Sequence, residues 1–266
     1  MTNQSSVLYQ VDDRGIATVT LNNPDKHNAF DEHIIAALTE SFQRATDDTS
    51  VRAMVLQANG KSFCAGADLG WMKKMAAYSE QENQQDAEKL ATMLHTLYSM
   101  PKLTIARVQG AAFGGAVGLV ACCDVAVGSK LSKFCLSEVK LGLIPATISP
   151  YVVEAMGARV CKRYFQTAEV FSARRARRLG LLSEVVAEQE LDQYINDIVG
   201  QVLNNGPVAV QEAKALVDHV KFRAISADLR FETSQMIAKI RVSEEGQEGL
   251  NAFLNKRAPA WRGTPK

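Results

Sequence analysis

No apolar run in the 266 residues approaches the roughly 18–20 that a bilayer crossing needs, so a membrane-embedded protein is not expected. Charge imbalance is nearly absent too. A formal net charge of +1 supplies no global field toward nucleic acid or an anionic surface, which leaves only a local basic patch for a phosphorylated ligand. The opening MTNQSS lacks the basic and apolar regions of a secretory leader, and the expected location is cytoplasmic. The five cysteines, Cys64, Cys122, Cys123, Cys135 and Cys161, match no zinc or redox spacing, and the adjacent pair cannot form a CxxC turn. They read as reduced, mostly buried small residues. His27, His33, His95 and His219 are scattered, with no metal-ligand spacing among them. Neither Ser62 nor Ser137 sits in a GxSxG frame, which argues against a serine nucleophile.

What remains is ordinary globular composition, 47% hydrophobic and 22% charged, in a chain long enough for one large core or a core plus a small appendage. Strands are predicted over residues 7–11 and 16–21, separated by the turn-forming Asp12-Asp13-Arg14-Gly15. Asp31 can cap a helix bearing Ile34, Ile35, Leu38 and Phe42 at helical spacing. A buried strand is predicted at 51–57, a short helix carrying Trp71, Met72 and Met75, and an amphipathic helix over 79–98 ending before Pro101. TIARVQ, DVAVG and KFCLSE read as strands, and from about residue 150 the pattern is almost wholly helical. The sum is an α/β half followed by a helical half, without linker, low-complexity segment or strict repeat.

Three segments carry the chemistry. Ser62-Phe63-Cys64-Ala65-Gly66-Ala67-Asp68-Leu69 is a glycine-bearing loop, and Gly114-Gly115 falls where a strand hands over to an apolar helix. Glycine permits positive φ and close ligand approach, and a helix start carries free N–H groups. Converging N–H groups of Ala67 and Gly115 would form a site for a developing oxyanion. Each segment alone reads more readily as a tight strand–helix connection, and Gly114-Gly115 lacks dinucleotide-fingerprint spacing. The third segment places Glu138 among apolar residues at the end of a strand-like run. Partial desolvation there would raise its pKa and suit it to proton exchange. The alternative is a surface glutamate paired with Lys140.

Taken in order, FCAGADL, VQGAAFGGAVGL, SEVKLGLIP and FSARRARRLGLLSEVV resemble the signature blocks of the crotonase (enoyl-CoA hydratase/isomerase) family, as do NNPDKHNAF and FLNKRAPAW near the two ends. The resemblance covers essentially the whole chain. It implies an α/β fold, a spiral of β-β-α repeats over residues 1–200, and a C-terminal helical trimerisation region over 201–266. A homotrimer or a dimer of trimers is implied, with an acyl-CoA thioester as substrate and no separate cofactor or metal. It further implies that the Ala67 and Gly115 N–H groups bind the thioester oxygen while Glu138 moves protons. Ala65, Asp68 and Leu69 would line the CoA path, and Lys26, Phe253 and Lys256 would meet the nucleotide end, the last two across a subunit boundary.

One position departs from the family pattern. Hydratases of this family carry a first glutamate where this sequence has Gly118, so one carboxylate of two remains. GADLGWMKKM, AAFGGAVGLVACCD and SEVKLGLIPATISPYVV nevertheless look most like bacterial hydratases of 3-methylglutaconyl-CoA or isohexenylglutaconyl-CoA, in leucine or acyclic-terpenoid breakdown. Gly118 is expected to leave a gap that the substrate's own distal carboxylate fills. Trp71, Met72 and Met75 form a helical stripe that reads either as a wall of the acyl pocket or as simple core, and Thr147, Ser149 and Tyr151 are candidates for specificity. The run Arg174, Arg175, Arg177 and Arg178 reads first as a solvated face. The competing activity is an enoyl-CoA Δ-isomerase using Glu138 alone. A silent thioester- or RNA-binding scaffold is disfavoured by the retained Glu138 and the near-neutral charge.

Overall fold

The computed structural model describes residues 5–262, so most of the opening hexapeptide lies outside the described residues. The chain begins with an antiparallel hairpin, β1 (Val7–Val11) and β2 (Ile16–Leu21), followed by α1 (Glu32–Asp47) and β3 (Ala53–Ala58). Asp31 caps α1 by accepting from the His33 and Ile34 N–H groups, and Ile34, Ile35, Leu38 and Phe42 form its buried stripe. Next come α2 (Leu69–Met75), α3 (Glu80–Tyr98), β4 (Leu103–Val108), β5 (Ala111–Phe113) and α4 (Gly115–Cys122). Ser79 and Glu82 close a reciprocal capping box at the start of α3. The pattern repeats with β6 (Val125–Ser129), β7 (Lys133–Cys135), α5 (Ser149–Met156) and α6 (Ala158–Thr167). It closes with β8 (Phe171–Ser172), α7 (Ala173–Arg178), β9 (Glu184–Val186) and α8 (Leu191–Leu203).

Two sheets result, ordered β1-β2-β3-β4-β6-β9 and β5-β7-β8. From β2 onward the larger sheet is parallel, and its strands are nearly continuous apolar runs because both faces are covered. Units such as β4-β5-α4 place one strand in each sheet before the helix returns the chain, which is the expected β-β-α spiral. The main core lies between the two sheets and α1, α3 and α4, and a smaller one lies under α8.

Two expectations need correction. The region after residue 150 contains β8 and β9, two and three residues long. Such short pieces carry too few residues to display an alternation, and pairing with β7 and β6 makes them strands. The KFCLSE strand ends at Cys135, and Glu138 opens a 3-10 turn spanning Glu138–Leu141 that Gly142 terminates at φ +73°. Beyond α8 lie α9 (Pro207–Val220), α10 (Ala227–Val242) and α11 (Glu244–Leu254). Glu245 accepts from the Val208 and Ala209 N–H groups at the start of α9, tying α11 back to it. Among the described residues, no helix is long and apolar enough to cross a membrane.

Candidate active site

The three chemical segments meet because the backbone stitches them together. Cys64 donates to the Ala111 carbonyl at 3.0 Å and Phe113 donates to Cys64 at 3.0 Å, setting the Ser62–Cys64 stretch beside β5. Phe30 crosses the other side of the same loop. Its N–H donates to Gly66 at 2.8 Å, and its carbonyl accepts from Asp68 at 2.7 Å. This bridge engages the groups on either side of Ala67, so the Ala67 N–H faces away from Phe30. The Phe30 ring lies against Gly115, where a Cβ would come within 3.1 Å of it. Gly114 donates to the Cys135 carbonyl at 2.8 Å, which draws the turn bearing Glu138 up to the start of α4.

Gly114 adopts φ +56° and ψ −124°, a conformation open to glycine. The turn leaves the Gly115 N–H as the first orphan donor of α4. Among the described residues, neither the Gly115 N–H nor the Ala67 N–H has an acceptor in the chain. Beside them, Glu138 Oε1 lies 3.4 Å from where a Gly114 Cβ would stand, and Glu138 Oε2 is buried without a hydrogen-bond partner. Burial raises the Glu138 pKa above the ordinary glutamate value. Glu138 makes no ion pair with Lys140, so the surface-pair alternative does not describe this side chain.

The remaining expected site residues divide. Ala65 and Leu69 are exposed along the same loop, Leu69 at 74%. Asp68 is occupied as the N-cap of α2, accepting from the Gly70 and Trp71 N–H groups, and it pairs with Lys26 at 3.0 Å. Lys26 thereby clamps the early loop to the segment that carries Ala67. Trp71 is buried, at 6% exposure, with its indole Nε1 unpartnered. Phe253 and Lys256 are exposed on α11 and just after it, Phe253 at 82%.

Gly118 requires a correction, since no gap lies above it. A Cβ there would meet Ile148 Cγ2 at 2.3 Å and Leu94 Cδ2 at 3.4 Å, so an aliphatic wall stands where a second carboxylate or a substrate carboxylate was expected. From ATISPY, Ile148 is the residue that packs on Gly118. Ser149 Oγ donates to the Ala146 carbonyl within the turn, while Tyr151 packs on Tyr98 with ring centroids 5.1 Å apart. The arginine run is also partly committed, with Arg177 paired to Glu184 and Arg175 bonded to the Tyr164 hydroxyl.

Sequence reasoning missed Phe30, Ile148 and Asn28. Buried Asn28 sits at φ +56° and donates to the Asn59 and Ser62 carbonyls, pinning the early loop to the Ser62 stretch. A signal for Asn28 exists in its type, since asparagine tolerates the left-handed region. No signal for Ile148 exists without knowing that α5 folds over α4.

The chain matches the enoyl-CoA hydratase/isomerase family over residues 12–264. It shares 47% identity and a TM-score of 0.94 with a crotonase-type structure from Legionella pneumophila, covering 97% of this chain and 100% of that one. An enoyl-CoA hydratase structure from Shewanella pealeana matches at 43% identity and TM-score 0.93, over 97% of each chain. The 2,3-dehydroadipyl-CoA hydratase of Escherichia coli is 29% identical over 251 residues, 93% of this chain and 95% of its own length. The spiral of β-β-α units is the crotonase fold that these structures share with the chain. The chain belongs to that enoyl-CoA hydratase/isomerase family.

Two outcomes follow for stability. Gly118→Ala is expected to lose about 1–3 kcal/mol by overpacking against Ile148. In urea unfolding, the Gly118→Ala/Ile148→Ala pair should be more stable than the sum of its singles by about 0.5–3 kcal/mol. Glu138→Gln should raise thermal stability at pH 8, because the raised pKa means folding strains the charged carboxylate. That gain should shrink as pH falls and the wild-type carboxyl takes up its proton. A variant advantage independent of pH would show that Glu138 is not desolvated.

Proposed function

We propose that this protein hydrates the double bond of an α,β-unsaturated acyl-CoA thioester. The observation that carries the reading is the pairing of two acceptor-free N–H groups, Ala67 and Gly115, with a buried, unpartnered Glu138 Oε2 at the same loop junction. The thioester oxygen would accept from both N–H groups, so negative charge developing there meets fixed donors. Glu138, as carboxylate, takes a proton from water while the oxygen bonds to the β-carbon, and electrons move to the thioester oxygen. The protonated Glu138 then delivers its proton to the α-carbon from the same face. One carboxylate suffices for both transfers, and a pKa raised by burial suits it to accept and return a proton. The exposed line Ala65 and Leu69, with Lys26, Phe253 and Lys256, is the proposed CoA path, the last two supplied by a neighbouring subunit in a trimer or hexamer. Apolar exposure on the C-terminal helices, including Phe253 and Leu254, supports such an assembly.

Within this class we favour a branched glutaconyl-CoA such as 3-methylglutaconyl-CoA. The support is the resemblance of GADLGWMKKM, AAFGGAVGLVACCD and SEVKLGLIPATISPYVV to hydratases of such esters. It is in keeping with an Escherichia coli relative named for the monothioester of another dicarboxylic acid. Ile148 over Gly118 favours a second reading. With no second carboxylate at that wall, Glu138 could instead shuttle a proton between carbons as a Δ-isomerase.

Product mass separates the two. Incubation with crotonyl-CoA and 3-methylglutaconyl-CoA is expected to remove the conjugated enoyl-thioester absorbance and add one water, faster with the branched ester. Products of unchanged mass with a shifted double bond, formed from β,γ-enoyl esters, would establish the isomerase instead.

A further inference from the structure

We infer that the Trp71 indole N–H is the donor that recognises a second acceptor oxygen on the acyl group, and so determines specificity for acyl chains with a distal carboxylate. The inference rests on the acyl-CoA reading above and extends it to the substrate's far end. Among the described residues, three buried side-chain polar atoms lack a partner: Tyr9 Oη, Trp71 Nε1 and Glu138 Oε2. Tyr9 belongs to the edge strand β1 and lies under the Arg44 guanidinium, 4.3 Å from its ring centroid. Of the other two, Trp71 comes four residues after the orphan donor Ala67 in sequence, and Glu138 lies beside Gly114 in space.

A buried N–H without an acceptor forfeits its water hydrogen bond and gains nothing in return, so such a group asks for an explanation. Local looseness does not supply one. Asp68 Oδ1 caps α2 through the Gly70 and Trp71 N–H groups, Lys26 pairs with Asp68, and Lys74 pairs with Glu32 at the start of α1. These contacts hold the helix that carries Trp71, and the indole itself is packed in the main core at 6% exposure. An indole nitrogen donates and cannot accept, so its partner must be an acceptor. The thioester oxygen is assigned to Ala67 and Gly115, and the reacting water to Glu138. The acceptor left for Trp71 is a further oxygen on the acyl chain. The Gly118 side of the site cannot hold that oxygen, because Ile148 and Leu94 line it with methyl groups.

The test uses saturated esters, which bind without reacting at a double bond. Calorimetry would compare glutaryl-CoA with valeryl-CoA, equal in chain length but differing in the terminal carboxylate. Wild type should bind glutaryl-CoA roughly tenfold or more tightly, and Trp71→Phe, which keeps a packed ring without the N–H, should lose most of that ratio. In case the variant is perturbed, indole 1H–15N signals of the wild type give an independent reading. Trp261, whose Nε1 donates to the Asn204 carbonyl at 3.2 Å, serves as reference and is assigned by Trp261→Phe. The Trp71 signal should move on adding glutaryl-CoA and shift less with valeryl-CoA. Equal shifts with both esters, no wild-type preference, or a preference surviving Trp71→Phe would overturn the inference. A glutaryl-CoA preference without water addition to enoyl esters would instead overturn the hydratase reading and leave the Trp71 assignment standing.

Discussion

The site depends on what Phe30 does with its backbone and its ring at once. Its N–H and carbonyl engage Gly66 and Asp68, leaving the Ala67 N–H between them directed the other way. Its ring, buried to 2% exposure, closes on Gly115. One residue thereby fixes the relative position of the two donors proposed to hold the thioester oxygen. Burying such a ring contributes about 1.5–3 kcal/mol, which favours the fold and the donor geometry together. Any side chain at position 115 would push the ring away, so the glycine there keeps the donors together as well as opening an approach for ligand. Lys26 with Asp68, and Asn28 with the Asn59 and Ser62 carbonyls, brace the same loop from its exposed and buried sides.

Against that frame, the chemistry is set by how many carboxylates reach the reacting carbons. Glu138 is placed by the hydrogen bond from Gly114 to Cys135 and by the turn that Gly142 closes. Its neighbourhood is dry enough to raise its pKa. One helical turn beyond Gly115, Ile148 seals Gly118 with aliphatic carbon. In the proposed hydration, both proton transfers pass through Glu138, in sequence and on one face. The same wall offers no polar group to a substrate at Gly118.

Much of this was legible in the residues. The α1 stripe, the span of α3 and the strands β1 to β4 follow from period and punctuation, since apolar spacing and turn residues act locally. Ala67, Gly115 and Glu138 stood out because glycine-bearing junctions and an acid among apolar residues are unusual patterns. The strands β8 and β9 were not legible, because two or three residues become strands only by pairing with neighbours distant in the chain. Gly118 was misread for a related reason. A glycine's missing side chain implies space only if nothing else fills it, and the residue that fills it comes thirty positions later, on the turn into α5. The Asp68 carboxylate, expected along the CoA path, is spent largely on capping a helix.

The central claim is that Glu138 alone carries both proton transfers. It is tested most directly by kcat/KM for enoyl-CoA hydration against pH, in wild type and in Glu138→Gln. The wild-type profile should show a single carboxylate ionisation displaced above the ordinary glutamate value, and the variant should fall by roughly 10²–10⁴-fold across the range. A second carboxylate ionisation, or a variant that retains most of its rate, would contradict the account.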